Sequence, residues 1–127
     1  MKYLLDTHTF LWFINGSIEL SPQAKKIIQN TENDMFLSIG SLWEIAIKIK
    51  IGKLSIDMTF YELKKESDKN DICLLPIQYE DILTLSSLEL YHKDPFDRII
   101  IAQALQDNLT IITKDSNFND YPVKVVW

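Results

Sequence analysis

Four acidic residues stand where chemistry is possible. Asp6 follows the short apolar run Lys2 to Leu5, and Asp115 comes soon after another, Leu109 to Ile112. Glu44 is the one acid in the otherwise apolar stretch Ile39 to Ile51, and Asp97 closes Asp94-Pro95-Phe96-Asp97, just ahead of the apolar residues 99 to 105. If these four meet, their mutual repulsion in a partly desolvated pocket raises some of their pKa values and costs stability unless a cation resolves it. Oxygen-only donors favour Mg²⁺ or Mn²⁺ over Zn²⁺, and no Cys/His cluster argues otherwise. Magnesium keeps several of its waters, which leaves positions for a phosphate oxygen and a nucleophilic water. Phosphodiester hydrolysis is therefore the reaction such a cage would suit. One ion, or two about 3.5–4 Å apart, would acidify the attacking water and offset charge in the transition state, with an Asp orienting or deprotonating the water.

Taken singly, each acid has a plainer reading. Asp94 suits a helix N-cap, Pro95 its first position, and Asp97 the place from which a capping-box acid reaches back to the unpaired amides. Glu44 and Lys48 are spaced as a solvated helix pair. The case for a site rests on the elements that bring the acids together. Lys2 to Leu5, Met35 to Leu37, Ile72 to Leu75, Leu109 to Ile112 and Val123 to Val126 read as five short strands. Helices are expected over His8 to Ile14, stopped by Asn15-Gly16, from Ser21-Pro22, over Ile39 to Ile51 with Gly52 as the stop, from Phe60, over Tyr79 to Leu88, and from Asp94. Strands alternating with helices imply an α/β fold: a central, mostly parallel sheet of about five strands, with helices on both faces. In such sheets ligands collect beyond the carboxyl ends of the strands, where Asp6 and Asp115 both fall. On the third helix, Leu42, Trp43, Ile45, Ala46, Ile47 and Ile49 leave a narrow polar stripe through Ser41, Glu44 and Lys48.

The 127 residues suit one domain spanning 1–127, with no repeat, low-complexity tract, signal-like start or apolar run long enough for a membrane span. A cytoplasmic protein without membrane contact is expected. Cys73, the single cysteine, lies among apolar residues and is expected to be buried and inert. Phe118, Tyr121, Trp12, Trp43 and Trp127 are assigned to packing. The net charge of −5 argues against gripping nucleic acid by bulk electrostatics, so any such contact must be local. Arg98 is the only arginine and directly follows Asp97, where it suits either a phosphate or a surface ion pair. His92 likewise suits either a phosphate contact or local packing.

Asp6-Thr7-His8 after a first strand, Leu42-Trp43-Glu44-Ile45-Ala46-Ile47-Lys48, His92-x-Asp94-Pro95-Phe96-Asp97-Arg98-x-x-Ile101-Ala102-Gln103-Ala104 and Thr113-x-Asp115-x-x-Phe118 together resemble a PIN-domain ribonuclease. Within that family the chain is similar to the VapC-like toxins of toxin–antitoxin pairs, and the resemblance spans nearly its whole length. It implies that Asp6, Glu44, Asp97 and Asp115 are the acidic quartet that holds Mg²⁺ or Mn²⁺, with Thr7 and Thr113 as supporting hydroxyls. Asn117 stands near where some relatives carry a further acid. It is grouped with those supports, and whether one ion or two bind is left open. The resemblance further implies endonucleolytic cutting of RNA, neutralisation by a cognate antitoxin and a homodimer. Lys48, Lys50, Lys53, His92, Lys93, Arg98 and Lys114 are the residues expected to frame an RNA cleft. Phe10, Leu11, Trp12 and Phe13 are candidates for an apolar groove that receives an antitoxin helix, with core packing as the alternative. A PIN-like module that binds RNA or protein without turnover is the other reading. An aspartyl-phosphate phosphatase is a third, although His8 stands where its second aspartate would be.

Overall fold

The computed structural model describes residues 1–127. In chain order the elements are β1 (Lys2–Leu5), α1 (Thr7–Ile14), α2 (Pro22–Gln29), β2 (Asp34–Ser38), α3 (Ile39–Lys50), α4 (Phe60–Lys69), β3 (Ile72–Leu75), α5 (Tyr79–Ser86), α6 (Pro95–Asp107), β4 (Thr110–Ile112), a 3₁₀ turn (Ser116–Asp120) and β5 (Val125–Val126). All strand pairs are parallel, in the order β3-β2-β1-β4-β5. The expected α/β architecture is the one observed, and the order reverses at β1, where the chain first builds outward through β2 and β3 and then returns to add β4 and β5. That reversal opens a crevice beyond the carboxyl ends of β1 and β4.

Side chains alternate across the strands and so feed two cores. Tyr3, Leu5, Met35, Leu37 and Ile112 face α1 to α4 through Phe10, Leu11, Ala24, Ile28, Ile45 and Leu63. Leu4 and Ile111 face α6 and the segment after β4 through Ile100, Ile101, Ala104, Phe118 and Tyr121. Because α6 lies between the sheet and α5, residues 99 to 104 are buried along its whole girth. No helix is long and apolar enough to cross a membrane.

Two packing expectations fail. Cys73 is exposed: β3 is the edge strand, and pleat alternation buries Ile72 while turning its neighbour outward. Trp43 is 62 % exposed, because α3 sits with its polar stripe inward and its opposite, apolar side toward solvent. Phe118 and Tyr121 are core residues, as expected, and Trp12 and Trp127 are half-buried and meet edge to face.

The seam between α3 and α6 fixes how the two acid-bearing helices meet. Ser38 caps α3 by accepting from the Gly40 N–H, and a Cβ placed on Gly40 would stand 3.2 Å from Ile99 Cγ2. Trp43 and Phe96 close the same seam edge to face at 5.2 Å. Gly40→Val is therefore expected to lower the unfolding free energy by about 1–3 kcal/mol through overpacking, measured by urea denaturation. Ile99→Ala in the same chain should recover part of that loss, which strict additivity of the two changes would contradict.

Candidate active site

Asp6 sits one residue beyond β1, and its backbone N–H still donates to Ile112 O at the end of β4. Its carboxylate, 6 % exposed, takes the Thr7 N–H on Oδ1 at 2.8 Å, as the cap of α1, and the Thr113 hydroxyl on Oδ2 at 2.9 Å. Thr113 Oγ1 in turn accepts from the Asp115 N–H at 3.0 Å. One hydroxyl thus ties the tips of two neighbouring strands, holding the Asp6 carboxylate and the Asp115 backbone. Asp115 caps the 3₁₀ turn by accepting from the Asn117 N–H.

On the other side of the crevice, Glu44 is 3 % exposed. Thr7 Oγ1 donates to its Oε1 at 2.8 Å, and Lys48 Nζ donates to its Oε2 at 2.6 Å. Thr7 has a single hydroxyl proton, so the fully buried Ser41 hydroxyl, 2.9 Å away, donates to Thr7. Ser41 was legible only as part of the polar stripe; its three-residue spacing from Glu44 is the signal that placed it. The expected Glu44–Lys48 pair exists, but it is not a solvated surface pair, since the carboxylate is buried.

Asp97 occupies the first turn of α6, where Asp94 Oδ1 accepts from the Phe96 and Asp97 N–H groups. The expected capping box is absent: Asp97 makes no return bond to the cap, and its carboxylate is left to the crevice. Burial, then the charges of Asp6, Asp94, Glu44 and Asp115 in that order, push its pKa up to about 8. Burial also raises that of Asp6, against the lowering effect of Thr113, His8 and the Thr7 N–H. Lys48 is pushed up chiefly by its bond to Glu44, with Asp94 and Asp97 adding to the effect. The four acids therefore share one electrostatic field. They do not close into a ligand set, as no three His, Cys, Asp or Glu side chains form a group that could hold a metal ion. Glu44 is turned instead to Thr7 and Lys48.

The remaining candidates separate. Arg98 forms no ion pair with an acid. Its guanidinium donates to Leu88 O, Glu89 O and the Tyr121 hydroxyl, so it ties the loop before α6 to the body of the domain. Its proximity to Asp97 in sequence does not translate into a shared direction, because adjacent helix positions point about 100° apart. Tyr121, assigned only to packing, also accepts from the Tyr91 and His92 N–H groups. The His92 ring lies against Phe118 and Tyr121, the local packing alternative. Lys93 is exposed, and Lys114 is paired with Glu19 at 3.2 Å beside the Trp12 ring. Asn117 offers Asp115 its backbone N–H while its side chain is exposed. Phe10 and Leu11 are buried core residues, which leaves Trp12 and Phe13 half-buried at the surface.

The Asp97 shift has a stability consequence of definite sign. In the folded metal-free protein Asp97 holds its proton up to about pH 8, whereas the unfolded chain releases it near 3.8. Folding therefore takes up a proton between these limits, and stability falls as pH rises through that window. Thermal unfolding of metal-free protein should show this decline, and Asp97→Asn should flatten it and melt higher than the parent above pH 8. Equal pH dependence in parent and variant would remove the charge cluster as its source.

Comparison with known proteins follows the same lines. Residues 3–124 match the PIN domain family. Similar folds are those of VapBC2 from Rickettsia felis bound to a promoter DNA fragment (TM-score 0.73, 17 % identity, covering 99 % of this chain and 98 % of that one) and DNA-bound VapBC from Salmonella typhimurium (0.73, 19 %, 99 % and 97 %). FitAcB from Neisseria gonorrhoeae is also similar (0.67, 19 %, 100 % and 97 %). No curated protein sequence matches the chain. With the sheet order, the acid-bearing strand tips and a family match over nearly every residue in agreement, the chain belongs to the PIN-domain family.

Proposed function

We propose that this protein is a Mg²⁺- or Mn²⁺-dependent endoribonuclease, the toxin of a toxin–antitoxin pair that a cognate antitoxin neutralises. The observation that carries the reading is the meeting of four acids at one crevice: Asp6 and Asp115 at the tips of β1 and β4, tied through Thr113, and Glu44 and Asp97 on the helices beside them. The Asp97 proton is held to about pH 8 by burial and by the charges of Asp6, Asp94, Glu44 and Asp115. A cluster of desolvated carboxylates with that much mutual repulsion is suited to a hard dication, and its donors are all oxygen. Asp6, Glu44, Asp97 and Asp115 are the proposed ligands. They form no preformed cage, so an ion would have to draw their carboxylates together, Glu44 away from Lys48 included, and when bound it would polarise the scissile phosphate and acidify a water.

The chain's own residues do the rest. Thr113 holds the Asp6 carboxylate and the Asp115 backbone in one orientation, and Thr7 with Ser41 does the same for Glu44. Lys48 supplies a positive charge among the acids, next to Glu44 and within the field of Asp94 and Asp97. An ionised Asp at the crevice would orient the attacking water or accept its proton, so Asp97 must be deprotonated to act, a state that a bound cation would favour by lowering its raised pKa. The toxin role rests on the likeness to toxin–antitoxin complexes from several bacteria, and so does the partner antitoxin. By the same likeness we take the working form to be a homodimer acting in the cytoplasm. Lys50, Lys53 and Lys93 are the framing residues whose side chains have no partner within the chain. Lys48 is bound to Glu44, Lys114 to Glu19 and Arg98 to the loop before α6, and His92 is packed on Phe118 and Tyr121, so these four would reach RNA only by exchanging or adding to their present contacts.

Incubation of the purified chain with an RNA panel and Mn²⁺ should give discrete cuts, abolished by chelation and reduced at least about 100-fold by Asp6→Asn or Asp97→Asn. Thr113→Val and Thr7→Val, which leave every acid in place, should cost about 10–100-fold in activity or metal affinity. Equal cleavage by parent and Asp variants would expose a contaminating nuclease, and stable RNA binding without any cutting would favour the non-catalytic binding module.

A further inference from the structure

A small cleft of about 230 Å³ opens beside the acids, between α1, α3 and the loop that follows α3. Its apolar floor is made by Leu11, Ile45 and Leu54, and its polar rim by His8, Lys48 and Lys53. Every ionisable side chain lining it is basic, in a chain whose net charge is −5. The loop is folded into this position by a backbone device. Gly52, at φ +77°, turns the chain so that the Lys53 and Leu54 N–H groups both return to Lys48 O, at 2.8 and 3.1 Å. The reversal brings the Leu54 side chain to the floor and Lys53 to the mouth. Lys48 is committed to Glu44, whereas the exposed side chains of His8 and Lys53 make no hydrogen bond or ion pair within the chain.

The cleft is continuous with the site. Thr7, which also lines it, donates to Glu44, and Lys48 joins the cleft rim to the same carboxylate. A ligand held at the acids has this cleft as its next stop. From this arrangement we infer that the α1–α3 cleft is a nucleotide subsite for single-stranded RNA: it seats the residue neighbouring the scissile bond, its phosphodiester on Lys53 and His8 and its base or sugar on Leu11, Ile45 and Leu54. The inference rests on the nuclease reading given above. The size and chemistry favour RNA over a protein partner. Three apolar residues in a pocket of this volume fit one ring system and not the face of a helix, and the unpaired Lys53 ammonium, beside an exposed His8 ring that lies against Trp12, suits a polyanion. Because the rest of the surface is net acidic, such a localised contact would set the register of the strand without general adhesion to nucleic acid.

The test uses the full chain. In an Asp97→Asn background, binding of fluorescein-labelled, random-sequence single-stranded RNA is followed by fluorescence anisotropy across a salt series. Lys53→Ala and His8→Ala should each weaken binding about 3- to 10-fold, Lys53→Glu more, and Lys53→Ala should lower the salt slope by about 0.7 for the phosphate no longer neutralised. In the otherwise unaltered chain the same changes should raise KM for RNA with little change in kcat. Lys25→Ala and Lys26→Ala, on the exposed side of α2, should do neither. Equal losses from the Lys53 and Lys26 variants would mean bulk electrostatics and overturn the subsite. So would Lys53 variants that bind RNA like the parent but lose hold of the antitoxin, which would assign the cleft to the protein partner. If the parent cuts RNA, Asp6→Asn does not, and the Lys53 and His8 variants are unaffected, the subsite fails and the nuclease stands; if the parent neither binds nor cuts RNA, both fall.

Discussion

Asp6 and Glu44 are buried and Asp97 is partly buried, near enough to one another and to Asp94 and Asp115 for each charge to oppose ionisation of Asp97. That repulsion is the constraint to which the surrounding structure answers. Removing carboxylates from water is costly, and it becomes tolerable when each finds a donor. Here Asp6 has Thr7 N–H and Thr113, Glu44 has Thr7 and Lys48, and Asp115 has the N–H of Asn117. The Asp97 carboxyl is held by no donor within the chain, and it is the acid whose proton is kept to about pH 8. The asymmetry separates three anchored acids from one whose charge state responds to whatever enters the crevice.

The fold places these groups by short-range means. Parallel pairing of β1 with β4 sets Leu5 beside Ile112, so that the next residues, Asp6 and Thr113, are neighbours. The Thr113 hydroxyl then needs only a 2.9 Å reach to join them. The helices are located by contacts that have no chemistry of their own: Gly40 against Ile99, Trp43 against Phe96, and the Arg98 guanidinium against Leu88 O, Glu89 O and Tyr121. Arg98 and Tyr121 matter through the loop they hold, since that loop leads directly into the Asp94 cap and the first turn of α6. A strained or loosened entry there would move Asp97 without touching any acid.

Exposed apolar side chains on α3 are the counterpart of its buried acid. A helix that turns Ser41 and Glu44 inward must turn something outward, and here it is Ile39, Ala46 and Trp43. The usual direction of an amphipathic helix is thus reversed on one side, which is the kind of local inconsistency expected where a site is built. The same logic separates Asp81, whose carboxylate is buried and shifted upward but accepts from the Gln78 N–H in a capping box at the start of α5, from the acids of the crevice. Burial and a raised pKa are common to both; what distinguishes the crevice acids is their convergence with one another at the strand tips.

By itself the sequence determined the elements and the positions of the acids along them. Apolar runs of four or five residues separated by capped helical stretches leave little choice but a parallel α/β sheet, and acids just past Leu5 and Ile112 must lie at its carboxyl edge, because both facts follow from local pattern and pleat. The cap at Asp94-Pro95 was equally local. Tertiary structure alone decided which way each helix faces. Periodicity defines a stripe on α3 but not whether it points to solvent or to the crevice, so a pair that reads as Glu44–Lys48 on the surface is half-hidden in the site, and a tryptophan that reads as core is exposed. It also decided the fate of Arg98, whose donors are satisfied by two carbonyls and a hydroxyl remote in sequence, and of Cys73, whose exposure depends on β3 being an edge strand. Orientation about an element's own axis is set by partners far along the chain, and those partners are chosen only when the whole sheet has assembled.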